Sequence, residues 1–199
     1  MFNIVSGAKG SGKSAYLFNL AEEYKTKGIP VGGVISRSLW KNNEKIGYEA
    51  VDPFKGEAQL LAVNYSQPNS TNTDIFSWGQ WYFRQSCFMN VNARIFDFIK
   101  NHSGSEAVLF IDEIGRMELD SKGWNIAGVV KQKPSSLKVV LGVRQDILDK
   151  LEPVWGLYLL PYISFDYIVV IFKIFSLAFQ NNAANVHYIS VIRKSKCHF

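Results

Sequence analysis

The sequence predicts an α/β fold of three layers, a mainly parallel sheet flanked by helices, with a small antiparallel insertion. Three observations predict it. The glycine-rich run "GAKGSGKS", Gly7 to Ser14, lies between a short apolar run and a stretch with helical spacing. A second apolar run, "AVLFI" at Ala107 to Ile111, stops at the acid pair Asp112 and Glu113. Between them, residues 33–85 hold short segments divided by turn-forming residues, the pattern of antiparallel hairpins.

Each element follows in chain order. "FNIV", Phe2 to Val5, is brief, apolar and soon followed by glycine, which suits a buried strand. In "SAYLFNLAEEYKTKG" the residues Ala15, Leu17, Phe18, Ala21 and Tyr24 fall on one helical face, and Gly28 is a natural stop. "GGVISR" and "KIGYEAV" read as a hairpin joined through "KNN". The aromatic side chains from Phe76 to Phe88 suit core packing, with a base-stacking wall as the other reading. "VNARIFDFIK", Val91 to Lys100, predicts a helix with its apolar side on the sheet, and "KVVLGV" predicts a later strand.

The chain of 199 residues suits one domain, with 47% apolar and 20% charged residues. Net charge is +5, yet residues 1–152 hold 18 basic and 16 acidic side chains, so the body is close to neutral. No basic nucleic-acid face is expected. Two distant cysteines, Cys87 and Cys197, make neither a disulfide framework nor a metal site. The first residues lack a signal-peptide pattern, which points to the cytoplasm. Residues 153–192 carry only two charged side chains, a sharp shift from what precedes them. The expected organisation is a domain over 1–152 and a hydrophobic tail over 153–199 that completes it, with a strand such as "FDYIVVIF". A membrane span is the other reading, and Pro161, Asp166 and Lys173 interrupt it.

The glycine-rich run matches G-x-x-x-x-G-K-[ST] in full, through Gly7, Gly12, Lys13 and Ser14. Phosphate oxygens must be approached by bare backbone, so side chains stay small and φ stays free. Successive N–H groups form an anion nest, and the helix N-terminus adds positive potential. An ordinary glycine loop is the alternative, but the strand before and the helix after favour phosphate binding. The expected nucleotide contacts are Gly7, Ala8, Lys9, Gly10, Ser11, Gly12, Lys13, Ser14 and Ala15, with Lys13 reaching the β- and γ-phosphates. A hard cation, Mg²⁺, needs oxygen ligands, and Ser14 with Asp112 can provide them. Glu113 is placed to orient or deprotonate a water. Arg116 is the foremost cation for the developing charge, ahead of Arg37 and Arg84. "DEIG" also fits a D-x-x-G switch, but the strand "KVVLGV" leads to Arg144, Gln145 and Asp146 rather than N-K-x-D. Loose base selectivity is therefore expected.

"GAKGSGKS" followed by "FIDEIGRMEL" resembles the THEP-type nucleoside-triphosphatase family of P-loop NTPases. "GGVISR…EKIGYEAVD" and "FKGEAQLLA" are similar to further family segments, and "WGQWYF", Trp78 to Phe83, resembles the family's glycine–glutamine–aromatic strand, so the resemblance spans about residues 1–152. The chain departs from the family pattern just after Ser36, around Gly56 and at the C-terminal end. The resemblance implies a P-loop NTPase fold and Mg²⁺-dependent hydrolysis of nucleoside triphosphates, with Lys13, Glu113 and Arg116 catalytic. Two other functions fit the motifs: a kinase acting on a small hydroxyl acceptor, and a nucleotide-dependent switch or interaction protein.

Overall fold

A computed structural model describes residues 2–64, 73–156 and 163–164, all within one compact unit, Met1–Asp166. The expected α/β architecture is present. Strand β1 (Phe2–Gly7) leads through the glycine-rich turn into helix α1 (Lys13–Thr26). Strands β2 (Val31–Lys41), β3 (Glu44–Val51), β4 (Ala58–Val63), β5 (Ile75–Trp78) and β6 (Trp81–Arg84) follow, then helix α2 (Gln85–Asn101). The chain continues through β7 (Ala107–Ile114), α3 (Arg116–Leu119), α4 (Ile126–Gln132) and β8 (Leu137–Arg144). A 3-10 turn (Gln145–Lys150), α5 (Leu151–Trp155) and the short strand β9 (Ile163–Ser164) complete the described elements.

The strands form one sheet in the order β5-β6-β4-β3-β2-β7-β8-β1-β9. The core β2-β7-β8-β1-β9 is parallel, and β3 to β6 extend it as antiparallel hairpins. This extension is the insertion that the turn residues predicted. Asn42 and Asn43 form the β2–β3 turn with φ of 50° and 61°, between the paired residues Lys41 and Glu44. Asparagine tolerates this left-handed region better than most residues, which suits a two-residue hairpin loop.

Alternation along β7 sorts the layers, because successive side chains point to opposite faces. Leu109 and Ile111 pack in one cluster with Val91, Ile95 and Ile99 of α2 and with Ile126 and Val129 of α4. On the other face Phe110 meets Tyr24 of α1, ring centroids 6.3 Å apart, and Asp112 meets Ser14. Thus α1 covers one face and α2 with α4 the other.

Four local expectations change. Ala15 is exposed rather than on the packed face of α1; Leu17 and Ala21 carry that face. Gly28 does stop the helix, with φ 72°. "WGQWYF" is not one strand: Gly79 and Gln80 turn the chain between β5 and β6, and Trp78 pairs with Trp81. Helix α2 begins at Gln85, earlier than Val91, because Asp74 accepts from Ser86 N at 2.6 Å and Ser86 Oγ at 2.7 Å. The aromatic cluster divides. Phe83, Phe88 and Trp124 stack into the core, with Phe88 and Trp124 centroids 4.6 Å apart, while Trp81 sits edge-on to Tyr48 at 4.9 Å. "FDYIVVIF" and nearly all of the tail lie outside the described residues. Among the described residues, no helix is long and apolar enough to cross a membrane.

Candidate active site

Parallel strands deliver their carboxyl ends to one edge of the sheet, where ligands of open α/β folds bind. Here a cavity of about 970 Å³ opens at that edge. Its walls include the whole run Gly7–Ala15, the β7 end at Glu113 and the β8 end at Arg144. Of the expected site residues only Asp112 is absent from the walls, because it is completely buried directly beneath them.

Gly12 is the N-cap of α1, with φ 91° and no side-chain cap, so the first-turn N–H groups face the cavity without a competing side-chain acceptor. The Lys13 ammonium is folded over the loop and donates to the Gly7 and Ala8 carbonyls, each at 3.1 Å. Its side chain is nearly buried, which fixes the charge beside the loop. Ser14 Oγ donates to Asp112 Oδ2 at 2.6 Å, across 98 residues of sequence. The two motifs therefore meet.

Asp112 is held from several sides. Its Oδ2 also accepts from Ser36 N at 3.2 Å, and its Oδ1 accepts from Glu113 N at 2.8 Å. The Trp124 indole donates to its carbonyl at 3.0 Å. A Cβ at Gly142 would fall onto the Asp112 carboxylate, so β8 needs glycine there. Burial pushes the Asp112 carboxyl well above its ordinary range, Glu113 adds to this, and the three donors oppose it. Glu113 itself has φ 59°, left-handed for a non-glycine residue, and the β7–β8 register breaks between Ile111 and Ile114. That break lifts the acid pair out of the ladder and presents Glu113 to the cavity.

The next turn is fixed by Glu118, which is 5% exposed. Its two carboxylate oxygens accept from Gly115 N at 2.8 Å and Trp124 N at 3.2 Å. Arg116 lines the cavity mouth, is 70% exposed and pairs with Asp146 at 3.1 Å. Of the lesser candidates, Arg37 turns to Glu49, with contacts of 2.7 and 2.9 Å. Arg37 and Arg84 are both absent from the cavity walls.

Sequence reasoning passed over several lining residues. Ser36 is 3% exposed, and its hydroxyl has no hydrogen-bond partner among the described residues. Lys45 lies over the rings of Trp40 and Tyr48, at 5.4 and 4.6 Å, and burial holds it below the usual lysine range, with Glu113 opposing. The Tyr48 phenol is pushed up to about 12 by burial and then by Glu113, with Arg144 pulling the other way. Arg144 and Asp146 complete the far side. The rule that singled out Asp112, a polar residue ending an apolar strand, applies equally to Arg144 after "KVVLGV".

The donor set fits a divalent cation. The Ser14 hydroxyl and the Asp112 carboxylate are hard oxygens already in contact, and Ser36, whose hydroxyl has no hydrogen-bond partner among the described residues, is joined to Asp112 through its backbone N–H. Among the described residues no group of three His, Cys, Asp or Glu could hold a metal alone. The pattern suits a cation that shares its coordination with phosphate oxygens.

Comparison with known proteins bears on the family and the fold. A family model described as NTPase matches residues 3–160. The chain is 30% identical over 124 residues to the nucleoside-triphosphatase THEP1 of Methanothermobacter thermautotrophicus, covering 60% of this chain and 63% of that protein. Its counterpart in Methanopyrus kandleri is 25% identical over 121 residues, covering 61% of each. The THEP1 of Pyrococcus abyssi is 27% identical over 160 residues, covering 77% of this chain and 80% of that one. The match thus spans less than two thirds of the first two relatives. Among solved structures, a human cancer-related nucleoside triphosphatase superposes with a TM-score of 0.60 at 17% identity, covering 92% of this chain and 99% of that one. THEP1 from Aquifex aeolicus superposes with a TM-score of 0.55 at 17% identity, over 89% and 98%. At that identity the structural likeness establishes the fold alone.

Proposed function

This chain belongs to the NTPase family, and on that premise we propose that it hydrolyses nucleoside triphosphates to diphosphate and phosphate in a Mg²⁺-dependent reaction. The observation that carries the reading is the 2.6 Å contact of Ser14 with Asp112, which joins the phosphate-binding turn to the acid pair. The names of the related proteins, nucleoside-triphosphatases, support it.

In this mechanism the N–H groups of Gly7–Ala15 take the phosphate chain, and Lys13 exchanges two backbone carbonyls for β- and γ-phosphate oxygens. Ser14 and Asp112 would hold the cation. When bound, it draws off charge that develops on the transferring phosphoryl group. Glu113 orients the attacking water and takes its proton; its position in the cavity wall beside Asp112 supports that role. Arg116 contributes positive charge from the mouth. The β8 strand leads to Arg144, Gln145 and Asp146 rather than to N-K-x-D, which supports loose base selectivity. The compartment is the cytoplasm. The strand β9, parallel to β1, supports a reading in which residues beyond 152 complete the same domain.

Phosphate release from ATP and GTP with Mg²⁺, without an added acceptor, is the test. Glu113→Gln should keep nucleotide affinity and lower release by roughly 10²- to 10⁴-fold. Release that survives this change would remove Glu113 from its role, and release that depends on a hydroxyl acceptor would make the protein a kinase.

A further inference from the structure

We propose that Arg144 is a phosphate-contacting residue of this site, positioned by Asp146 to meet the terminal phosphate. The proposal deepens the hydrolysis reading and rests on it for its effect on turnover.

Placement comes first. In the sheet order β8 stands between β7 and β1, the strands that carry the acid pair and the phosphate-binding turn. Arg144 is the last residue of β8 and lies in register with Gly7, the first glycine of the turn; its neighbour Val143 pairs with Ile114. Arg144 is the only arginine on β8, the strand between the two halves of the site. The side chain also lies along the acid-pair loop. A Cβ at Gly115 would come within 3.0 Å of Arg144 Cδ, so the missing side chain there leaves room for the arginine stem.

Chemistry comes second. Arg144 donates to Asp146 through Nε at 3.0 Å and Nη2 at 3.4 Å. A guanidinium has five N–H donors in a rigid fork, so Asp146 can hold one edge while the rest remain for phosphate oxygens. Asp146 also accepts from Arg116, which is 70% exposed against 49% for Arg144. The less exposed partner is the one better placed for a desolvated contact. Asp146 thus serves as an anchor for two cations at one rim of the cavity, and Arg144 is the inner one.

The test compares a non-hydrolysable triphosphate analogue with the diphosphate, both with Mg²⁺, by titration calorimetry on the full chain. Arg144→Ala should weaken the triphosphate about 10- to 100-fold, as loss of a charged hydrogen bond does, and the diphosphate no more than about twofold. The kcat should fall roughly 10³-fold, and KM much less. Arg144→Lys, which keeps the charge and serves if the alanine variant does not fold, should show the same selective loss, because an ammonium lacks the fork. Arg37→Ala, whose partner is Glu49 outside the cavity, should change neither affinity. Equal weakening of both nucleotides, or of neither, would overturn the proposal. A wild-type protein that releases no phosphate, yet discriminates triphosphate from diphosphate through Arg144, would remove the hydrolysis reading and leave this one standing.

Discussion

Glu113 holds a left-handed backbone, φ 59°, at the point where the β7–β8 ladder breaks. For a non-glycine residue this costs about 1 kcal/mol or more, and such strain collects at working sites. Glu113→Gly should therefore raise thermal stability by about 1 kcal/mol while abolishing phosphate release. A melt that falls on this change would show that the backbone there is unstrained. Glu118 poses the opposite problem, a buried carboxylate that the fold needs. Burial raises it from 4.5 to about 7, the N–H donors of Gly115 and Trp124 oppose the shift, and Glu113 adds to it. Between these two values the folded form keeps a proton that the unfolded chain releases. Stability then declines as pH rises through that window, by roughly 3 kcal/mol at most. The raised Asp112 acts in the same sense. Glu118→Gln should flatten the pH dependence of the melting temperature between pH 5 and 7, at about 1 kcal/mol for the lost backbone acceptor. An unchanged slope would place the titration elsewhere.

Among the elements, those with a local signal were legible. The "KNN" turn predicts the β2–β3 hairpin because asparagine at positive φ is a property of the turn itself. The start of α2 was not legible, because its first turn is held by Asp74 from beyond the intervening β5–β6 hairpin. Such a cap has no sequence spacing to reveal it. Asp74→Ala should lower the melting temperature and fray α2 from Gln85 towards Val91, as amide exchange over those residues would report. Protection unchanged at Ser86 and Cys87 would show that the helix starts there on its own. The β5–β6 hairpin was hidden differently. Its turn, Gly79 and Gln80, sits inside a run of aromatics that the family resemblance presents as one strand.

At the scale of the molecule, both halves of the candidate site could be read, since each is a short motif ending an apolar strand. What the sequence does not express locally is strand order, which depends on pairing between distant segments. Only the order β7-β8-β1 explains why Gly142 must lack a side chain: Asp112 leans across the strand that separates it from the phosphate-binding turn. Gly142→Ala should cost about 1–3 kcal/mol and displace the carboxylate. Mg²⁺-dependent nucleotide affinity should fall with it, while affinity measured in EDTA changes little. Equal loss in both conditions would indicate general damage to the turn.

The intervening strand also sets a timetable. Lys13 and Asp112 are both present in the chain once residue 112 is made, but they gain their working separation only when residues 137–144 slot between their strands. A nascent chain shorter than that has no competent pocket, so nucleotide cannot brace the early folding stages. Its stabilising influence, which acts only on the state that binds it, begins after the middle strand is seated.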